Sequence, residues 1–464
     1  MSAQLFVRRT RIELSAEEVF RWHARPGALE RLTPPWAGVR VIERTGGIAN
    51  GGRVVLSMPV GPLHVRWVAE HRDYVEGRQF RDVQVEGPFA RWEHTHRFEP
   101  DGPAACYLQD RIEYELPLGP VGGWLGGPMV RSMLDATFAY RHAVTVQDLA
   151  AHAAHDGRPL HVGVTGASGL IGSALVALLS TGGHRVTRLV RDRPRPEVEN
   201  AMLWDPSTGR LEQFRSDLGP LDAVVHLAGE SIAAGRWTPA RKARIKESRI
   251  DGTRRLCESL ARLAQPPQTL ICASAIGYYG DRRSQTLDEE SSPGSGFLAE
   301  VCREWEAATA PAHERGIRVV LLRIGVVLTA AGGALAQMLL PFQLGAGGRL
   351  GSGQQWMSWV SLDDVIVAML HALRTESLDG PVNAVAPSPV TNAEFTRTLG
   401  RVLSRPTLFT VPAAVARLAF GEMADEALLA STRVTPTRLV STGYVFRHPD
   451  LEGTLRHTLG RFAR

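Results

Sequence analysis

The chain has only four cysteines, Cys106, Cys257, Cys272 and Cys302, far apart and with no CxxC pair. That argues against a disulfide framework and a zinc knuckle, and points to reduced thiols in a cytoplasmic setting. Long hydrophobic runs are missing as well. No stretch reaches the roughly 20 apolar residues of a membrane span, and the start of the chain, MSAQLFVRRTRIEL, has no apolar signal core. Lysine is almost absent: Lys242 and Lys246 are the only two. The cationic residues are nearly all arginine and are spread along the chain, and the net charge is only +5. A concentrated basic patch for nucleic acid is therefore not indicated.

At 464 residues, the chain is too long for one core. Its hydrophobic content of 44% and charged content of 22% are those of an ordinary folded protein, so two or three domains are expected. Residues 151–159, AHAAHDGRP, read as a linker, with a boundary near 157.

Residues 1–157 alternate like strands over Gln4–Leu14, Val39–Glu43, Arg53–Met58, His64–His71, Gln79–Val85, Trp92–Phe98 and Tyr107–Leu116. Ser15 and Glu18 have capping-box spacing for a short helix through Trp22. Pro128–His152 reads as a long amphipathic helix, with Met129, Met133, Leu134 and Phe138 on or near its apolar face and Pro128 in its first turn. This order, with LTPPW (32–36), GPF (87–89) and YRH (140–142), resembles the α+β helix-grip fold of START and polyketide-cyclase-like proteins. The resemblance implies an apolar cavity and a small hydrophobic ligand, although Trp36, Trp67, Phe80, Phe89 and Trp92 serve equally well as plain core. His94 and His96 alternate on one strand face and His71 lies on a neighbouring strand. No carboxylate or cysteine stands at ligand spacing along the chain, so no metal site is expected.

The most informative stretch is HVGVTGASGLIGSALVALL, residues 161–179. A short apolar strand runs into a turn with Gly166, Gly169 and Gly172, and then into an apolar helix. That order forms a dinucleotide cradle, in which phosphates rest on free N–H groups at the helix N-terminus. The second strand, His184–Val190, is followed by Arg191, with Arg188 and Arg193 close by and Asp192 one place late. Arginine at this point reads a ribose 2′-phosphate through paired hydrogen bonds, which favours NADP(H) over NAD(H). Further strands at Ala223–Leu227, Thr269–Ala273 and Arg318–Arg323 alternate with helices, as in a doubly wound parallel sheet.

GASGLIG, HLAGESIAAGRW, SRIDGT, SAIGYYGD, WEAA, LRIGVVL, GSGQQWMSWVSLDD and GPVNAVAPSPVTNAEF follow in that order. Together they resemble the atypical extended short-chain dehydrogenase/reductases labelled epimerase-like, over residues 161–464. The resemblance implies a Rossmann domain over 160–375 and a C-terminal, substrate-side helical lobe over 376–464. It places the cofactor against Gly166, Ser168, Gly169, Leu170, Ile171, Gly172, Arg191, Leu227, Ala228, Gly229, Arg249 and Val326.

The family's chemistry uses a Ser and a Tyr-x-x-x-Lys pair beside the nicotinamide. Here Phe297 and Val301 stand at the Tyr and Lys positions, and Ala275 at the Ser position. Tyr278, Ser274 and Glu230 are the nearest substitutes, with Lys246 as a further cation and Gln354, Gln355, Trp356 and Trp359 near a substrate pocket. Ser361–Asp364 reads as a helix cap. Two functions follow: an NADP(H)-dependent oxidoreductase or epimerase on a small carbonyl or hydroxyl substrate, or a non-catalytic NADP(H) sensor or scaffold coupled to a hydrophobic-ligand module.

Overall fold

Strict alternation over Cys106–Glu115 buries every second side chain, as a strand with one face inward requires. Six further strands join it in an antiparallel sheet: β1 (Gln4–Ile12), β2 (Arg40–Thr45), β3 (Arg53–Val60), β4 (Leu63–Val75), β5 (Gln79–Glu86) and β6 (Arg91–Pro100), with Cys106–Glu115 as β7. Their order is β1-β7-β6-β5-β4-β3-β2. This computed structural model describes all residues except 1–2, 62, 118, 156, 193–199, 214–218, 234 and 463–464, so Arg193 lies outside the described residues. The chain divides into two units, one of 1–154 with 180–183 and 457–464, the other of 155–179 with 184–456.

In the first unit the predicted capping box closes helix α1 (Ala16–Ala24): the Ser15 hydroxyl accepts from the Glu18 N–H, and the Glu18 carboxylate accepts from the Ser15 N–H. After α2 (Ala28–Leu32), the long helix α3 spans Gly119–Ala153. It starts nine residues before the expected Pro128, which sits inside it. Leu134 and Phe138 pack with Phe6, Trp67, Trp92, Ile112 and Tyr114 of the sheet. Met129 and Met133, expected on the apolar face, are instead exposed. Arg31 of α2 and Asp148 of α3 form a buried two-pronged ion pair, at 2.7 and 2.9 Å.

The second unit is built on an eight-stranded sheet. Its strands are β8 (His161–Thr165), β9 (Arg185–Val190), β10 (Ala201–Trp204), β11 (Leu211–Gln213), β12 (Ala223–His226), β13 (Thr269–Ala275), β14 (Arg318–Ile324) and β15 (Gly380–Ala384). The order is β11-β10-β9-β8-β12-β13-β14-β15, parallel except for β11. This is the doubly wound Rossmann sheet expected of the sequence. Helices α4 (Leu170–Thr181), α5 (Pro239–Ala261) and α6 (Phe297–Ala307) are among its crossovers. Beyond β15, helices follow at Asn392–Leu403, Ala413–Phe420, Thr437–Ser441 and Leu451–Thr458. All four cysteines are unpaired and buried. Among the described residues, no helix is long and apolar enough to cross a membrane.

Candidate functional site

Strand order reverses between β8 and β12, which are direct neighbours although β9–β11 lie between them in sequence. In open parallel sheets, this switch point is where loops at the strands' C-terminal ends part to leave a crevice. Here the two loops are the Gly166 turn and Leu227–Ala228–Gly229. Gly166 has φ +64°, and a Cβ on it would come within 2.9 Å of the Leu227 carbonyl group. Only glycine allows this close approach. A Cβ on Gly172 would lie 2.2 Å from the Gly166 carbonyl oxygen, so α4 rests directly on the turn. Ser168 and Gly169 are exposed at the start of α4 and Leu170 and Ile171 half-buried, where first-turn N–H groups have no partner within the helix.

Sequence reasoning missed the residue that ties the two loops together. The Thr165 hydroxyl accepts from the Leu227 and Ala228 N–H groups, at 3.0 and 3.2 Å, and lies 2.7 Å from His226 Nδ1. His226 Nε2 reaches Thr253 on α5 at 3.0 Å, and Trp305 Nε1 on α6 donates to the same hydroxyl at 2.9 Å. Burial lowers the His226 pKa to about 4, so this chain of hydrogen bonds runs through a neutral imidazole. Its signal in the sequence, HLAGE after a strand, gives no partner for the histidine.

Arg191 follows β9 and is exposed. Leu189 pairs with Thr165, which sets Arg191 level with the glycine turn. Arg249 of α5 reaches the third-strand loop: it donates to the Glu230 carbonyl at 2.9 Å, and a Cβ on Gly229 would lie 3.5 Å from its guanidinium carbon. Val326 begins a short strand, Val326–Leu328, paired to Trp359–Ser361.

The expected chemical residues separate. Ser274 is buried and donates to Glu306 Oε1 at 2.7 Å. Glu306 is also gripped by Arg323 through two bonds of 2.8 Å. Arg323 donates to the Tyr279 hydroxyl at 3.0 Å, and Tyr279 donates to Asn383 at 2.7 Å. Burial, partly offset by Arg323, pushes the Tyr279 hydroxyl up to about 12. Tyr278 differs from its neighbour: it is half-buried, it lies under the Arg323 guanidinium at 3.5 Å, and its hydroxyl has no partner among the described residues. The Glu230 carboxylate stands 3.7 Å from Arg241. Lys246 is held by Glu300 and Glu304, each at 2.8 Å.

At Phe297 and Val301, the positions expected for the usual dyad, charge lies close by: the Lys242 ammonium is 4.4 Å from the Phe297 ring centre, and the Phe297 N–H donates to the Glu426 carboxylate at 3.2 Å. Phe297 packs on Trp237 at 5.2 Å between ring centres, and Val301 is buried. Of the residues expected near a substrate pocket, Gln355 donates to the Leu350 carbonyl and Trp359 to the Ser388 carbonyl, both from buried positions. Gln354 is exposed, and Trp356 is half-buried beneath Arg433. The Ser361 hydroxyl accepts from the Asp364 N–H at 2.9 Å, so this segment caps its helix as expected.

In the first unit, Trp67 meets Phe89 and Trp92 at ring-centre distances of 5.7 and 5.1 Å. The buried Trp22 and Trp67 N–H groups have no acceptor among the described residues. The histidines are not isolated. His71 faces Asp82 across β4 and β5, Asp82 faces His94 across β5 and β6, and His96 faces Asp110 across β6 and β7. Carboxylates missing at short sequence spacing are thus supplied by register. Burial and neighbouring His96 lower the His94 pKa to about 4. At His96 itself burial opposes the charge, but Asp110 and Asp82 raise the pKa to about 9.

Residues 162–384 match the family model of the NAD dependent epimerase/dehydratase family. Residues 12–138 match polyketide cyclase / dehydrase and lipid transport, and 411–458 match a domain of unknown function, DUF1731. Over 300 residues, the chain is 45% identical to an epimerase family protein of Mycobacterium tuberculosis, covering 65% of this chain and 98% of the relative. It is 37% identical to epimerase family protein SDR39U1 of Homo sapiens, covering 64% and 99%. A crystal structure of a nucleoside-diphosphate sugar epimerase from Corynebacterium glutamicum covers 98% of this chain and 90% of its own, with TM-score 0.80 and 36% identity. Human SDR39U1 (isoform 2) with NADPH covers 65% of this chain and 99% of its own, with TM-score 0.59 and 36% identity.

Proposed function

Because the chain belongs to the epimerase family of atypical extended short-chain dehydrogenase/reductases and carries a polyketide-cyclase-type domain ahead of it, we propose that its second unit binds NADP(H) and acts on a small carbonyl or hydroxyl substrate. The observation that carries this reading is the Gly166 turn pressed against Leu227–Ala228 at the strand-order reversal. The NADPH-bound structure of human SDR39U1 supports the same nucleotide form.

The residues present fit such a cofactor. The N–H groups opening α4 receive the pyrophosphate, the loop at 227–229 takes the adjoining ribose, and Arg191 takes the 2′-phosphate. When bound, the nicotinamide supplies or accepts hydride. The chain's own task is then to move a proton to or from the substrate oxygen. Phe297 and Val301 cannot do so. Ser274 and Tyr279 are engaged in the Glu306–Arg323 network. Tyr278 is left with an unengaged hydroxyl on the loop after β13, its ring lying 3.5 Å from the Arg323 guanidinium, and a phenol there can pass a proton to or from the substrate oxygen.

NADPH consumption by the purified full chain across a panel of aldehydes, ketones and nucleotide sugars tests this reading. At least one member is expected to be reduced. Tyr278→Phe should slow that reduction about 10²–10⁴-fold, the usual contribution of a positioned acid–base group, with NADPH affinity unchanged. Binding without consumption across the panel would favour the second reading, a nucleotide sensor coupled to a hydrophobic-ligand module. For that module the polyketide cyclase and lipid transport match supports a small apolar ligand.

Arg191→Glu is expected to weaken NADPH about 100-fold, since a charge-assisted pair contributes about 1.5–3 kcal/mol and the substitution adds repulsion. NADH affinity should stay as it was. Equal losses for both nucleotides in a fluorescence titration would remove the 2′-phosphate from Arg191.

A further inference from the structure

The first unit contains a second constellation that the nucleotide reading does not use. His94 and His96 of β6 point to the same side of the sheet, with ring centres 3.8 Å apart. Asp82 of the neighbouring strand brings its Oδ2 to 3.2 Å from His96 Nε2 and 3.7 Å from His94 Nδ1. One ligand atom from each of the three residues lies within 4.8 Å of the other two. Tetrahedral ligation by imidazole and carboxylate at about 2.0–2.2 Å separates ligand atoms by roughly 3.3 Å. The two separations between Asp82 and the histidines, 3.2 and 3.7 Å, are of that size.

The outer atoms of the same residues also have close polar neighbours. His94 Nε2 is 2.7 Å from Asp110 Oδ1, and His96 Nδ1 is 2.7 Å from the same oxygen. Asp110 Oδ2 is in turn 2.6 Å from His142 Nε2, and His142 Nδ1 is 2.7 Å from the Thr10 hydroxyl. Asp82 Oδ1 lies 3.0 Å from His71 Nε2, and the other nitrogen of His71 is 3.2 Å from the Gly52 carbonyl. A histidine that ligates a metal characteristically donates its far N–H to a carboxylate, which fixes the ring. Here Asp110 is hydrogen-bonded to His94 Nε2 and lies 2.7 Å from His96 Nδ1. Two buried atoms of the cluster, Asp82 Oδ1 and His96 Nδ1, have no well-directed hydrogen bond despite their close neighbours.

We propose that His94 Nδ1, His96 Nε2 and Asp82 Oδ2 form a binding site for a divalent transition cation of the zinc class, held from behind by Asp110 and His71. His94 and His96 are buried, whereas the Asp82 side chain keeps 24% of its exposure. Two nitrogens and one oxygen leave at least one position of a four-coordinate ion open. Such a site can polarise or hold a small oxygen-bearing ligand of the first unit. The ligand set contains no sulfur, and the nearest buried cysteine of this unit, Cys106, is not among the clustered residues.

The test is titration of metal-freed full-length chain with Co²⁺, read by visible absorption, and with Zn²⁺, read by calorimetry. One saturable equivalent is expected, with ligand-field bands of nitrogen–oxygen coordination and no sulfur charge-transfer band. Asp82→Asn should weaken binding at least about 100-fold, and Asp110→Asn, which leaves the ligands in place, about 10–100-fold. Zn²⁺ should raise the unfolding temperature of the wild-type chain and not that of Asp82→Asn. Absence of a saturable Co²⁺ spectrum in the wild-type chain overturns the proposal, and so does a spectrum with a sulfur band or one unchanged in both variants. Should Asp82→Asn fail to fold, the wild-type spectrum and Asp110→Asn decide alone.

Discussion

Gly172→Val is expected to reduce NADPH affinity beyond about 100-fold, a loss of roughly 2.7 kcal/mol. The Cβ alone would sit 2.2 Å from the Gly166 carbonyl oxygen and 2.9 Å from its carbon, and both are backbone atoms that no rotamer change can move. Relief requires α4 to lift from the turn, at an overpacking cost of about 1–3 kcal/mol. The first-turn N–H groups of α4 and the Leu227–Ala228 loop would then no longer converge on one phosphate-sized space. Ser173→Ala, one residue on and exposed, should bind NADPH like the unaltered chain. A fluorescence titration of the three proteins checks this. Wild-type affinity in Gly172→Val would mean that the phosphates lie elsewhere.

The second large effect is on stability. Glu306→Ala leaves the Arg323 guanidinium buried beside Ser274 and Tyr279 without its carboxylate; the side chains of the pair are 10% and 3% exposed. Removing one partner of such a pair costs about 3–5 kcal/mol, because the remaining charge is uncompensated. At roughly 2–4 °C per kcal/mol for a domain of this size, the second unit's melting temperature should fall by about 10 °C. The double variant Glu306→Ala/Arg323→Met should recover most of that loss, since it removes the orphaned charge. Differential scanning calorimetry distinguishes the outcomes. A loss under about 1 kcal/mol would show the network to be as weak as a surface ion pair.

The glycine elbow was legible because its cause is local. Three glycines between an apolar strand and an apolar helix can meet few other needs, and the second strand arrived on schedule. The capping box at Ser15 and Glu18 and the cap at Ser361 were legible for the same reason. The helix start at Gly119 was not. Its run of glycines and Pro128 argues against helix by propensity. In the fold, Gly123 and Gly127 lie beside Gln4 of β1, where a Cβ would meet the amide in ordinary contact at 3.4 and 3.5 Å, and the segment is held as helix by its place in the unit rather than by its own propensity.

The two polar networks were illegible because sequence distance hides them. Ser274, Glu306, Arg323, Tyr279 and Asn383 are spread over more than a hundred residues and meet only when β13, β14 and β15 align with α6. The histidines and aspartates of the first unit meet through strand register, which the alternation of residues does not specify.

The account's central claim is a phosphate-bearing nicotinamide nucleotide at the reversal of strand order. Isothermal titration of the full chain with NADPH and, separately, NADH tests it most directly. One saturable site per chain, tighter for NADPH, is the predicted result. No heat and no saturation with either nucleotide would contradict it.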